Sequence, residues 1–101
     1  MNRDALTVEG FQKHIRERYY ATDSARGTSA TFLWFIEEVG ELATALQRAS
    51  AADGQGDRQN LEEEFADVLA WLCTLANIND VDLDRAVRKK YLDGEGPAGH
   101  K

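Results

Sequence analysis

Apolar residues recur along this chain at intervals of three and four, and alternation with period two is almost absent, so the pattern predicts an all-α protein. Four segments carry it. The first, residues 7–20, places Val8, Phe11, Ile15 and Tyr19 on one stripe behind Thr7, a fitting N-cap. The polar run TDSARGTS predicts a loop after it. The second helix is expected to open at Thr28 or Ser29, either of which can cap it, and to run to about Ala49. Its buried face should be Phe32, Phe35, Ile36, Val39, Leu42, Ala43 and Leu46.

SAADGQGDRQ breaks the pattern with two glycines and reads as a flexible connection. Asn60, three residues before Glu63, predicts a capping-box start for a third helix over 61–78, with Leu61, Phe65, Val68, Leu72 and Leu75 as its stripe. NINDVDLD closes that helix and caps a fourth, which carries Val81, Leu83, Val87 and Tyr91. Arg85, Arg88, Lys89 and Lys90 gather toward its C-terminal end, where cations suit the helix dipole. The composition of GEGPAGHK predicts a disordered tail over 94–101, which leaves one helical domain over 1–93.

Size and charge narrow the picture. A chain of 101 residues, 43% hydrophobic and with one proline, suits a single domain. A domain of this size buries only about two thirds of its unfolded surface, so a homodimer or homotetramer is expected to complete the bundle. The net charge of −6 disfavours general attraction to nucleic acid or anionic lipid. No run approaches the roughly 18 apolar residues of a membrane span, and MNRDALTVEG has no signal-like apolar core, so a cytoplasmic location is expected. The single Cys73, in AWLCTLA, fits a small buried hydrophobe better than a catalytic thiol.

Acids stand out against this background. In WFIEEVGELATAL, Glu38 and Glu41 are three residues apart on a helix, about 60° and 4.5 Å from one another, so both side chains reach one point. Glu64 and Asp67 repeat the spacing in the third helix. Each pair lies at the margin of an apolar stripe, and Trp34 and Trp71 share a column with their acids. If the two helices pack antiparallel, Glu41 meets Glu64, Glu38 meets Asp67, and both tryptophans fall at the same end of a cage of four carboxylates. Such a cage requires cations to relieve its repulsion. Oxygen ligands without histidine or cysteine suit Mg2+, with Mn2+ as the other candidate, and magnesium commonly shares its sphere with substrate phosphates. A lone ExxE is usually a solvated face; the repetition beside two tryptophans is what separates this pattern from that one.

EEVGEL, followed by EEFADVLAWLCTLANINDVDLDRAVRKKY, resembles the MazG-like nucleoside triphosphate pyrophosphohydrolases of the all-α superfamily, whose pattern is EExxE, a variable interval and ExxD. The likeness runs from about Thr31 to Tyr91. It implies a four-helix MazG-like bundle completed by oligomerisation, and cleavage of a nucleoside triphosphate between the α and β phosphates to a monophosphate and pyrophosphate. By position, Glu38, Glu41, Glu64 and Asp67 would hold magnesium. Glu37 would be the remaining motif acid, either orienting the attacking water or facing solvent. Lys90, with Arg88 and Lys89 as neighbours, matches a basic position that meets the phosphates. Relatives often continue into an asparagine and an arginine, and YLDGEGPAGHK has neither.

For the base, Trp34 and Trp71 are candidates, with Phe11, His14 and Phe32 as further lining; aromatic faces accept any base. Core or interface packing is the competing role, above all for Trp71. His100 lies in the tail and carries no assigned role. A house-cleaning triphosphate pyrophosphohydrolase is the first functional expectation, phosphoribosyl-ATP pyrophosphohydrolase the second, and a non-catalytic helical interaction or regulatory module the third.

Overall fold

The computed structural model describes residues 5–50 and 57–93. Three long helices, α1 (Val8–Arg26), α2 (Thr28–Ala49) and α3 (Arg58–Ile78), are followed by a short α4 (Leu83–Val87) that widens into a π-helical turn, Arg88–Leu92. The all-α expectation holds. The predicted tail over 94–101 and most of SAADGQGDRQ lie outside the described residues.

Several boundaries differ from those expected. α1 does not stop at residue 20 but continues through TDSARG to Arg26, because nothing in that run breaks a helix before glycine. An Arg26–Asp23 ion pair, 2.6 Å, ties its last turn. Gly27, at φ 84° and ψ 169°, is then the entire connection, in a region open in practice only to glycine. Neither Thr28 nor Ser29 caps α2; Gly27 holds the cap position and no side chain bonds there. Nor does Asn60 cap α3: Asp57 does, its carboxylate accepting from the Asn60 amide at 3.1 Å, so the helix starts three residues early. Thr7 and Asp82 cap α1 and α4 in the same way.

α3 is the central element, packed by α2 on one side and α1 on the other. Thr28 Oγ1 donates to Asn79 Oδ1 at 3.4 Å, which sets the start of α2 beside the end of α3 and makes the pair antiparallel. From Thr31 onward the positions of α2 that are not exposed are Thr31, Phe35, Glu38, Leu42 and Ala45; Leu61, Glu64, Val68, Trp71, Leu75 and Ile78 repeat the same three-four spacing on α3. Glu38 and Glu64 therefore stand in the seam rather than at its margin.

The expected buried face of α2 is largely outside. Phe32 is 50% exposed and Ile36 48%, with Val39, Ala43 and Leu46 also exposed, while Phe35 and Leu42 are half-buried. On α3, Phe65 and Leu72 are likewise exposed. The physical reason is geometric: α2 packs chiefly on α3 and only slightly on α1, and its apolar stripe is wider than that contact covers.

α1 is fastened to the far end of α3 by amides. Gln12 Nε2 donates to Asn77 Oδ1 at 3.0 Å and to the Val81 carbonyl at 2.7 Å, Asn77 Nδ2 donates back to the Gln12 carbonyl, and the Leu83 amide donates to Gln12 Oε1. Asn77 is buried, so this mutual satisfaction is what allows an amide into the core. Cys73 is buried too, and burial pushes its thiol pKa up, which agrees with an inert packing role. Among the described residues no helix is long and apolar enough to cross a membrane.

Candidate metal centre and adjoining cleft

Antiparallel packing brings one carboxylate oxygen each from Glu38, Glu41 and Glu64 within 4.8 Å of one another. The helical spacing of three aligns the first two, and the seam delivers the third. Glu38 and Glu64 are half-buried and Glu41 is exposed at the mouth. Asp67 is exposed as well, yet close enough that its charge acts on both Glu38 and Glu64. Glu37 is exposed on the adjoining face of α2.

The electrostatics follow from the placement. Desolvation, then the charges of Glu41 and Asp67, push the Glu38 carboxyl from 4.5 up to about 7; Glu64 is raised by the same causes in the same order. Glu38 Oε2 and Glu64 Oε2 are buried without a hydrogen-bond partner. Oxygens of this kind ordinarily have a partner. Oxygen-only donors, accumulated negative charge and two orphaned oxygens fit a hard divalent cation such as magnesium or manganese.

Trp34 and Trp71 stack beside this cluster, rings 8° from parallel with centroids 6.2 Å apart. They do lie at the same end of the acid group. Trp71 also carries the Arg26 guanidinium, 5.0 Å from its ring centroid. Arg26 is held twice more: Nε donates to Thr31 Oγ1 at 2.9 Å, and Nη2 donates to Asp23 Oδ1 at 2.6 Å. Thr31 is fully buried and Asp23 only 6% exposed. Around these groups, between α1 and α3, opens a cleft of 370 Å³ whose wall includes Ile15, Tyr19, Asp23, Arg26, Trp71 and Thr74.

The other expected site residues lie apart from the cleft. His14 lines a small recess on the surface of α1 with Lys13 and Glu17, and Phe11 is half-buried. Phe32 tilts against Phe35. Arg88 pairs with Asp84 at 3.0 Å, and Lys90 Nζ lies 5.5 Å from the centroid of the Tyr91 ring.

The model of the MazG nucleotide pyrophosphohydrolase domain matches residues 26–91. The chain belongs to the MazG family. No curated protein matches it. The match takes in α2, α3 and α4, and with them every acid of the cluster, whereas Tyr19, Thr22 and Asp23 of α1 precede it. Of these, Thr22 and Asp23 lie in TDSARGTS, whose composition reads as a loop, so the sequence did not point to them. Asp23 and Arg26 stand three apart, the spacing of a helical ion pair, and that was the available signal.

Proposed function

We propose that this chain is a cytoplasmic, metal-dependent nucleoside triphosphate pyrophosphohydrolase, cleaving a canonical or noncanonical (d)NTP between the α and β phosphates to a monophosphate and pyrophosphate. The observation that carries the reading is the carboxylate group of Glu38, Glu41 and Glu64, with two buried oxygens unpartnered, in a chain of the MazG family. Glu38, Glu41, Glu64 and Asp67 are the residues that would hold Mg2+ or Mn2+. When bound, the metal neutralises phosphate charge and lowers the pKa of water.

The chain's own residues supply the rest. The seam fixes Glu38 and Glu64 on two rigid helices, so their carboxylates are held in position before substrate arrives. Glu37, exposed on α2, would orient an attacking water or accept its proton; the support is its place in the motif. Lys90 and Arg88 act as phosphate contacts; their support is charge and the family resemblance. The exposed apolar band of Phe32, Leu33 and Ile36 on α2 and Phe65, Leu69 and Leu72 on α3 supports a second copy of the chain covering this face, in a homodimer or homotetramer.

The decisive experiment is pyrophosphate release from a panel of canonical, deoxy and modified triphosphates and phosphoribosyl-ATP, with Mg2+ or Mn2+. Release that vanishes in Glu41→Ala and Asp67→Ala is expected. Intact nucleotides at high enzyme and metal would favour a non-catalytic module instead, and release from phosphoribosyl-ATP alone would select the phosphoribosyl-ATP pyrophosphohydrolase activity. Sedimentation of the wild type and of Ile36→Lys tests the assembly: the wild type should run as an oligomer and the variant as a monomer.

A further inference from the structure

α4 is short, and little apolar packing holds it. None of its residues is buried; Leu83 and Asp84 are half-buried, and residues 85–90 are exposed. It packs on α1, and on neither α2 nor α3 to a comparable extent. A helix of this length has no stability of its own in water, so its direction is set by groups outside it.

One side chain supplies such groups at the entry. Gln12 Nε2 donates to the Val81 carbonyl at 2.7 Å and Gln12 Oε1 accepts from the Leu83 amide at 3.0 Å, so a single carboxamide grips the chain on both sides of Asp82, the N-cap of α4. Gln12 is itself fixed to α3, because Nε2 also donates to Asn77 Oδ1 at 3.0 Å and Asn77 Nδ2 donates to the Gln12 carbonyl at 3.2 Å. α3 does not need this help to end. The Val81 amide donates to the Ala76 carbonyl at 2.9 Å and the Asp80 amide to the Asn77 carbonyl at 3.3 Å, around Asp80 at φ 55°, a Schellman closure made by the backbone alone. What Gln12 adds is the angle at which the chain leaves that turn.

The angle is felt at the other end of the element. Between Leu83 and Lys90 the axis rises by roughly 10 Å, so a tilt of about 15° at the entry moves Lys90 by about 3 Å. A misplacement of about 1 Å in a group that positions substrate costs on the order of 100-fold in rate.

We propose that Gln12 is a positioning residue for phosphate binding: it pins the entry of α4 to α1 and α3, and so holds Arg88 and Lys90 where they meet the phosphates. The inference rests on the nucleotide reading above, in which those two cations contact phosphate, and adds the residue that aims them. Gln12 precedes the matched residues 26–91, so the family match assigns it no role.

The test is a double-mutant cycle on kcat/KM for triphosphate hydrolysis by the full chain with Mg2+. Gln12→Met keeps the length of the side chain and removes its donors and its acceptor; kcat/KM should fall by about 10-fold or more. In an Arg88→Ala/Lys90→Ala background the same substitution should change kcat/KM by less than about 2-fold, since nothing is left to aim. The rise of the thermal midpoint with Mg2+ belongs to the α2–α3 seam and should be the same in Gln12→Met as in the wild type. Equal losses in the two backgrounds would make Gln12 a clamp for stability alone and overturn the proposal, as would an unchanged kcat/KM in Gln12→Met. If Gln12→Met does not fold, Leu83→Pro carries the same cycle: it deletes the N–H that donates to Gln12, at a first helical position that tolerates proline, behind an Asp82 already extended at ψ 105°. Absence of hydrolysis by the wild type sinks the enzymatic reading rather than the pin. Calorimetry with inorganic tripolyphosphate and Mg2+ then decides the pin, as it does if the Arg88→Ala/Lys90→Ala protein is too slow to assay: weaker binding by Gln12→Met than by the wild type supports it, and equal or absent binding overturns it.

Discussion

Glu38 and Glu64 meet across the α2–α3 seam, each offering an oxygen to a group no more than 4.8 Å wide and each keeping another oxygen buried and unpartnered. Two acids have taken positions that apolar side chains would otherwise fill, and without a cation they oppose the packing that surrounds them.

The opposition has a pH signature. The Glu38 carboxyl titrates at about 7 in the folded chain against 4.5 ordinarily, so the folded state binds this proton more tightly than the unfolded state does. Its favourable contribution is fully present below about pH 4.5 and is lost as pH rises through about 7. In chelator, the thermal midpoint should fall between pH 5 and pH 8, and Glu38→Gln should flatten that fall. The charges of Glu41, Asp67 and Glu64 all act on the Glu38 carboxyl.

Metal loading should reverse the penalty. Added Mg2+ or Mn2+ is expected to raise the thermal midpoint progressively with concentration, and more at pH 8 than at pH 6, because proton and cation compete for the same oxygens. Glu64→Gln should melt higher than the wild type in chelator, respond little to metal, and lose pyrophosphate release by about 100-fold or more. A variant that gains stability while losing activity is the mark of a functional charge cluster. Equal metal responses in wild type and variant would contradict this assignment.

Thr31 is the most deeply buried anchor of the Arg26 corner. Thr31→Val keeps the shape and removes the acceptor for Arg26 Nε. The variant should be less stable by about 1–2 kcal/mol in urea denaturation, since a partly buried charged donor is left without its partner.

Two glycines should respond oppositely to alanine. Gly27 has nothing within 4 Å of an added Cβ, yet its φ of 84° strains any other residue, so Gly27→Ala should destabilise by about 1–3 kcal/mol. Gly40 is helical and also faces open space, so Gly40→Ala should stabilise by about 0.5–1 kcal/mol through helix propensity. Paired thermal melts in chelator separate the two effects.

The periodicity of Val8, Phe11 and Ile15, and of Leu61, Val68 and Leu75, was enough to read a helical chain, and the spacing of three between Glu38 and Glu41 was enough to read a shared point for their side chains. Boundaries were less legible. TDSARGTS has loop composition, but a helix survives polar residues when an ion pair such as Asp23–Arg26 supports its last turn and only Gly27 interrupts it. Depth was the other failure: Phe32 and Ile36 are apolar and outward, whereas Glu38 is acidic and in the seam. Hydrophobicity identifies what a helix can bury, while the seam is set by which neighbour it has. The cleft beside Trp71 depends on α1 crossing α3, a tertiary relation that spacing along one helix does not encode.

The stacked indoles have an optical consequence. Trp34 and Trp71 are the two tryptophans of the chain, and they lie nearly parallel with centroids 6.2 Å apart. All indole emission therefore originates from one end of the α2–α3 seam, with Arg26 above one of the chromophores. Separation of the two helices splits that pair, and occupation of the neighbouring cleft changes its surroundings. The protein thus contains its own spectroscopic reporter, in near-ultraviolet dichroism and in fluorescence, between the carboxylate group and the cleft.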